Sequence, residues 1–307
     1  MSLSFDQIPN QIPQGGYYTE IHSTGAGVGV GTHKALLVVP KRATGTLSAT
    51  VPQKVISASE ADRLCGAGSL GAEMIRRFMT AAPAVEVWAI AFAGTTPATC
   101  TATVTSADAK AGTIALYIGG ERVAVPVTAG MAAADIAAAI VTAVTDKNLF
   151  VSATAALGVV TLTALDSGTI GNTLLAQLDL FDGDQRAEPG GVSVTFSASG
   201  VFANGAGAFD AEDIVEAIAG KPFDTIVWPD TVAANLTEWA EELLRRFGPE
   251  VEQDGMLFAA VAGNVAAATT AASTLNSPFI CLMGTSDSPT PPCLWASALA
   301  AADAAEP

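Results

Sequence analysis

At 307 residues, half of them hydrophobic, the chain has ample material for a buried core, and its length suits two domains or one domain interrupted by another. A formal charge of −16 excludes a nucleic-acid surface, which needs clustered Lys and Arg to displace phosphate counterions. No apolar run reaches the roughly 18–20 residues that span a bilayer, and the opening MSLSFDQIPNQIP has no basic stretch ahead of an apolar one. The chain is therefore expected to be soluble and cytoplasmic, with no membrane partner.

Residues 1–31 read as an extended N-terminal arm. Pro9, Pro13 and the pair Gly15 and Gly16 precede a short run at 17–21 (YYTEI), and Gly25, Gly27, Gly29 and Gly31 follow it. Such a segment cannot bury its own apolar groups and must lie on something else. An α/β rhythm begins at Lys34. Residues 35–39 (ALLVV) form a buried strand and 51–56 a shorter one. Ser57 or Ser59 caps a helix that runs through Leu64. Gly66 and Gly68 break it, and a second helix at 70–79 places Leu70, Met74, Ile75 and Phe78 on one face. EVWAIAF at 86–92 is a central strand. Residues 32–95 thus make the first part of an α/β core.

The character changes near Gly94. Strands at 101–105, 113–118 and 122–127 are rich in Thr and Val, and Gly119 and Gly120 close the last two into a hairpin. An Ala-rich helix covers 131–144, and strands at 150–155 and 159–164 meet across Gly158. Runs at 174–180 and 192–197 complete a β-rich α+β module, so 96–203 reads as an insertion.

The core resumes over 204–307. A helix at 210–219 precedes the strand DTIVW at 224–228. The amphipathic helix 231–247 is expected to bury Leu236, Trp239, Leu243, Leu244 and Phe247, leaving Glu241 and Glu242 to support Arg245 and Arg246 on its solvated side. A strand at 256–262, a helix through Leu275, a strand at 279–283 and a helix from Pro292 finish the pattern. Strands alternating with helices imply a mainly parallel sheet with helices on both faces.

No catalytic constellation emerges, and no cofactor or metal is expected. Phosphate-cradling loops follow a strand and open a helix, whereas the glycine run at 25–31 precedes a strand and never gives G-x-G-x-x-G. Asp179, Asp182 and Asp184 do not match a calcium loop and read as an acidic surface turn. Glu241 and Glu242 are adjacent on a helix and so point apart, a poor start for acid/base work. His22 and His33 are the only histidines, too few for most metal sites or a Ser–His relay. Cys65, Cys100, Cys281 and Cys293 lack metal or disulfide spacing and read as buried thiols. Trp88 and Trp228, in apolar strands, read as core.

Several stretches in collinear order resemble the Mu-like tail sheath proteins of contractile phages and prophages. They include the opening SFDQIPNQIPQGGYYTEI, then VISASEADRLCGAGSLGAEM (with Cys65 where that family usually has Phe) and EVWAIAF. ALYIGGERVAVPVTAGMAAADIAAAI and DSGTIGN resemble the family's inserted outer domain. FDTIVWPD, LRRFGPE, DGMLFAAVAG and NSPFICLMGTSDSPTPPCLWASALAA follow, with Cys293 and Leu294 a departure before Trp295. The resemblance spans essentially the whole chain. It implies the N-terminal two-thirds of a sheath protein, with the rest of the core and a C-terminal arm beyond residue 307.

What the resemblance implies is a mechanical, non-enzymatic role. Subunits form stacked hexameric rings around a tail tube and contract to drive it through the host envelope. The implied partners are neighbouring sheath subunits, the tail tube protein, the baseplate and the tail terminator. The implied location is the virion tail, after assembly in the bacterial cytoplasm. Residues 9–24 would be a strand-donating arm anchored by Tyr17, Tyr18 and Ile21, with Gly25, Gly27, Gly29 and Gly31 as its hinge. Without a C-terminal part the chain is expected to be a monomer or weak oligomer. A tailocin or other contractile injection system is the alternative of the same kind; an α/β enzyme or nucleotide-binding protein is the alternative of another class.

Overall fold

The computed structural model describes residues 33–305, apart from 93, 185–187 and 287. The chain opens with β1 (Lys34–Pro40), β2 (Gln53–Val55), α1 (Ala58–Cys65), α2 (Leu70–Ala81) and β3 (Glu86–Phe92). Next come β4 (Pro97–Ser106), β5 (Gly112–Ile118), β6 (Glu121–Val127), α3 (Ala133–Lys147), β7 (Val151–Ala156), β8 (Val159–Ser167), β9 (Ala176–Leu178) and β10 (Val192–Phe196). It continues through α4 (Ala211–Ala217), β11 (Thr225–Val227), α5 (Ala233–Phe247), β12 (Met256–Val261), α6 (Val265–Leu275), β13 (Ile280–Gly284) and α7 (Pro292–Ala305).

Six strands form one sheet in the order β13-β12-β11-β1-β3-β2. Every neighbouring pair is parallel except β2 with β3, so the sheet is mainly parallel, within a mixed α/β fold of seven α-helices among the described residues. Successive side chains of a strand point to opposite sides, yet Ala35, Leu36, Leu37, Val38 and Val39 are all fully buried, so both sides of the sheet centre are covered. This explains why β1 reads as an unbroken apolar run rather than an alternating one. The helices α2 and α7 pack on each other and against β1, β11 and β12; α4, α5 and α6 form a second helical group.

Local sequence sets the helix starts. Ser57 Oγ accepts from Glu60 N–H at 3.2 Å, and the Glu60 carboxylate reaches back past the cap to Ile56 N–H at 2.9 Å, a variant of the capping box. Ser69 caps α2 through Ala72 N–H at 3.0 Å, and Asn264 caps α6 through Ala267 N–H at 3.1 Å.

Strands β4 to β10 build two antiparallel sheets, β10-β4-β8-β7 and β6-β5-β9. Both hairpin turns need positive φ: Gly119 and Gly120 supply it freely between β5 and β6, whereas between β7 and β8 Gly158 does so beside Leu157, a fully exposed side chain held at an unfavourable φ of +49°. The run at 174–180 yields only the three residues of β9. A 3-10 turn at Thr169–Thr173, held by Thr173 Oγ1 on the Ile170 carbonyl at 2.7 Å, ends immediately before that run.

The connections into and out of this β-rich segment are clasped. Thr96 and Thr99 bridge Ala206 and Ala203, and Phe92 at the end of β3 lies 4.1 Å, ring to ring, from Phe209 before α4. From there an aromatic seam runs inward, Phe209 to Trp228 at 5.7 Å and Trp228 to Trp239 at 5.6 Å, both edge-to-face.

Helix α5 departs from its expected face. Leu236, Trp239 and Leu243 are buried, but Leu244 and Phe247 are 61% and 57% exposed. Glu242 and Arg246, expected on a solvated side, are buried instead and paired at 2.7 Å, with Arg246 also donating to the Lys221 carbonyl at 3.1 Å. Arg245 holds the same carboxylate from outside at 2.7 Å. A helix packed along Trp239 turns the neighbouring residues 242 and 246 toward the core, where they pair with each other, although Arg246 Nη2 stays buried without a partner.

Replacing Trp239 by Ala is expected to cost about 3–5 kcal/mol in chemical denaturation, the range for emptying a large buried aromatic site. Arg246→Ala should cost on the order of 3 kcal/mol because it strands part of a buried charge, while Arg245→Ala at the exposed rim should cost under about 1 kcal/mol; equal losses would contradict this packing.

Candidate functional site

The groups capable of chemistry are dispersed. Cys65 and Cys293 are buried, and burial, with the charge of Asp166 adding to it, pushes both thiols up to about 12. A thiol held so far above neutrality is not a nucleophile. His33 sits just before β1 with its Nε2 2.8 Å from Thr225 Oγ1, bridging to β11. His22 lies outside the described residues. Trp228 is buried as expected and donates to Asp230 at 2.9 Å, while Trp88 is only half-buried and donates to Glu86 at 2.7 Å.

The acidic turn is more tied down than a surface turn need be. Asp184 accepts from the Tyr117 hydroxyl and from Arg122 Nε at 2.8 Å, and these partners hold its carboxyl below the usual range. Asp179 is pushed the other way by burial and by Asp184 beside it. Among the described residues no group of three or more His, Cys, Asp or Glu is placed to hold a metal ion, and no helix is long and apolar enough to cross a membrane.

The anchors Tyr17, Tyr18 and Ile21 and the glycines Gly25, Gly27, Gly29 and Gly31 lie outside the described residues. What is described is an exposed apolar surface at one end of the parallel sheet. Strand β13 ends the six-stranded sheet, and Ile280, Cys281, Leu282 and Met283 along it are all half-buried. Beside it α6, with the apolar sequence VAAATTAASTL, has no buried residue among its described side chains, and Val265 is 78% exposed. Leu244 and Phe247 of α5 add to the same end. Phe247 stacks 5.4 Å from Phe279, and Leu244, Leu275, Pro278 and Phe279 line a groove of about 290 Å³. A larger groove of about 500 Å³ runs between β6 and α3, lined by Ala124, Pro126, Ala139 and Thr142 among others.

No protein-family model matches the chain. Among curated proteins, the Mu-like prophage FluMu tail sheath protein of Haemophilus influenzae is 31% identical over 307 residues, covering 98% of this chain and 62% of that protein. The chain is a homologue of a Mu-like tail sheath protein. It spans less than two-thirds of that relative's length. Among solved structures, the sheath tail protein of Listeria innocua aligns over 89% of this chain and 56% of its own, with 11% identity and a TM-score of 0.38. That of Desulfitobacterium hafniense aligns over 95% and 62%, with 12% identity and a TM-score of 0.39. At those scores the likeness is slight, and the assignment rests on the sequence homologue.

Sequence reasoning placed every core strand of this sheath homologue yet passed over its exposed apolar end. The signal was present: residues 265–275 carry no charge and only small hydroxyl side chains beside Val and Ala, and 280–283 are apolar, which in a helix and a neighbouring strand at a sheet edge leaves apolar side chains uncovered.

In the native protein at pH 8, Cys65 and Cys293 are expected to resist a thiol-reactive probe while the half-buried Cys281 is labelled first of the three. Mass spectrometry of labelled peptides reads the order, and early labelling of Cys65 or Cys293 would contradict their burial.

Proposed function

We propose that this chain is part of a tail sheath subunit that packs with its own kind as stacked hexameric rings around a tail tube and contracts to drive the tube through the host envelope. The observation that carries the reading is the 31% identity maintained over almost the whole chain with a Mu-like prophage tail sheath protein. The role is mechanical and the protein is not an enzyme. Its partners are neighbouring sheath subunits, the tail tube protein, the baseplate and the tail terminator, and it resides in the virion tail after assembly in the host cytoplasm.

The physical support is the character of the surfaces. An edge strand offers a row of main-chain donors and acceptors to an added strand, and β13 is such an edge, flanked by Leu244, Phe247 and the uncovered α6. The arm at residues 9–24, with Tyr17, Tyr18 and Ile21 as anchors and Gly25, Gly27, Gly29 and Gly31 as hinge, is the strand donor to a neighbouring subunit. Head-to-tail use of two unlike surfaces generates an open helical array rather than a closed dimer. Residues 96–203 are the inserted outer domain, carried as decoration; residues 32–95 and 204–307 are the two parts of the core.

Two manipulations test this in a phage lysogen whose full-length sheath gene is tagged. Removing residues 1–24 should abolish incorporation into sheath tubes seen by electron microscopy while leaving the melting temperature of the remaining chain unchanged. The double substitution L244D and F247D should also prevent incorporation, while in the 307-residue chain, where both side chains are more than half exposed, it should cost no more than about 2 kcal/mol and leave the chain folded. Normal tubes from both variants would refute the assembly reading.

A further inference from the structure

The segment DSGTIGN at 166–172 runs from the last two residues of β8 into the 3-10 turn and belongs to none of the proposed assembly surfaces, yet four of its residues, Asp166, Gly168, Thr169 and Asn172, tie the β-rich segment to α2 and to the connecting chain on either side of it. Gly168, at φ +117°, lets the chain pass against Gly94, where a Cβ would overlap its backbone, and its N–H donates to the Thr96 carbonyl at 2.9 Å. Thr169 N–H donates to the Gly207 carbonyl at 3.1 Å. Asn172 grips Gly205 in both directions, accepting from its N–H at 2.8 Å and donating to its carbonyl at 3.1 Å. Asp166, at the end of β8, reaches across to α2 and accepts from Leu70 N–H at 2.6 Å.

Asp166 is the anomalous member. It is 1% exposed, and its second carboxylate oxygen, Oδ1, is buried with no hydrogen-bond partner. Around it stand Cys65 at the end of α1, Cys293 at the start of α7, and Arg42 from the loop after β1, whose guanidinium is itself tied to the Ala67 carbonyl. Asp62 on α1 and Arg77 on α2 act on those two cysteines; Asp62 is engaged with Arg76 at 2.8 Å and Arg77 with Glu73 at 2.9 Å. No cation closes on the carboxylate, so its charge is countered only by one amide, the N-terminal end of α2 and the more distant Arg42.

We propose that Asp166 is a protonation-controlled pin, fastening β8 to the start of α2 and setting how tightly the β-rich segment is held to the parallel sheet. Burial outweighs the Leu70 hydrogen bond and the pull of Arg42, and lifts the carboxyl from its ordinary 3.8 to about 6. A raised folded-state value means that the closed joint holds a proton which the opened, hydrated joint releases. Closure is therefore favoured fully below about pH 4, weakens as the pH climbs toward 6, and reaches a constant lower level above it. The pin is tightest below about pH 4 and slackest at neutral pH and above.

Native-state hydrogen exchange of the full chain between pH 5 and 8, corrected for intrinsic rates, reads this directly at the amides of Leu70 and Gly168. This range lies above the isoelectric point, where the protein stays charged. The opening constant of the wild-type joint is expected to rise roughly tenfold over that range and to level off above pH 7, as the two carboxyl values require. D166N keeps an acceptor for Leu70 without the charge, so its opening constant should stay level. An equal rise in D166N, or a level profile in the wild type, would overturn the proposal; the wild-type profile alone decides should D166N fail to fold.

Discussion

The fold depends on β1 having parallel partners drawn from distant parts of the chain. Ala35 pairs with Val87 on one side and Thr225 on the other. The first partner follows after one pair of helices; the second arrives only after the whole β-rich segment. Loop-closure cost grows slowly with length, so a long excursion is tolerable provided its two ends are brought back together. The clasp at Thr96, Thr99, Ala203 and Ala206 and the contact of Phe92 with Phe209 do this, setting the end of β3 beside the chain that leads into α4 and β11.

With that closure made, the interior follows. The centre of the sheet is buried on both sides, and the Phe209–Trp228–Trp239 seam carries the packing from the clasp to α5. Fixing Trp239 in the core then decides the fate of the neighbouring stripe of α5. Glu242 and Arg246 turn inward as a pair; burial pushes the Glu242 carboxyl up, but the hydrogen bonds from Arg245 and Arg246 outweigh it and hold it low. Leu244 and Phe247 are left facing out, which places apolar side chains beside the open β13 edge. Core packing at one end of α5 and a contact surface at the other are thus one consequence of a single helix rotation.

Asp166 and Glu242 show two ways of burying a carboxylate. Glu242 has two guanidinium partners and keeps its charge; Asp166 has one amide and an unpartnered oxygen, and its affinity for a proton rises. The less satisfied of the two carboxylates, Asp166, sits where the end of β8 in the β-rich segment meets the start of α2, which packs on the parallel sheet.

Much of the fold was legible in the residues, and the reason is local. Continuous apolar runs at 35–39 and 87–92 announce buried strands, Gly119 with Gly120 and Gly158 mark hairpins, and Ser57 starts a helix by capping an amide close to it in sequence. Each of these signals acts over a few residues, so the sequence alone determines it. The homology to a sheath protein was legible for the same reason, as collinear short motifs. What tertiary structure alone decided depends on residues far apart. No periodicity distinguishes Leu244 from Leu243 as the exposed one, because that choice is made by where Trp239 meets Trp228. Nor does the sequence DSGTIGN announce that its aspartate will be sealed against Leu70, ninety-six residues earlier, since burial is a property of what packs around a side chain and not of its neighbours in sequence.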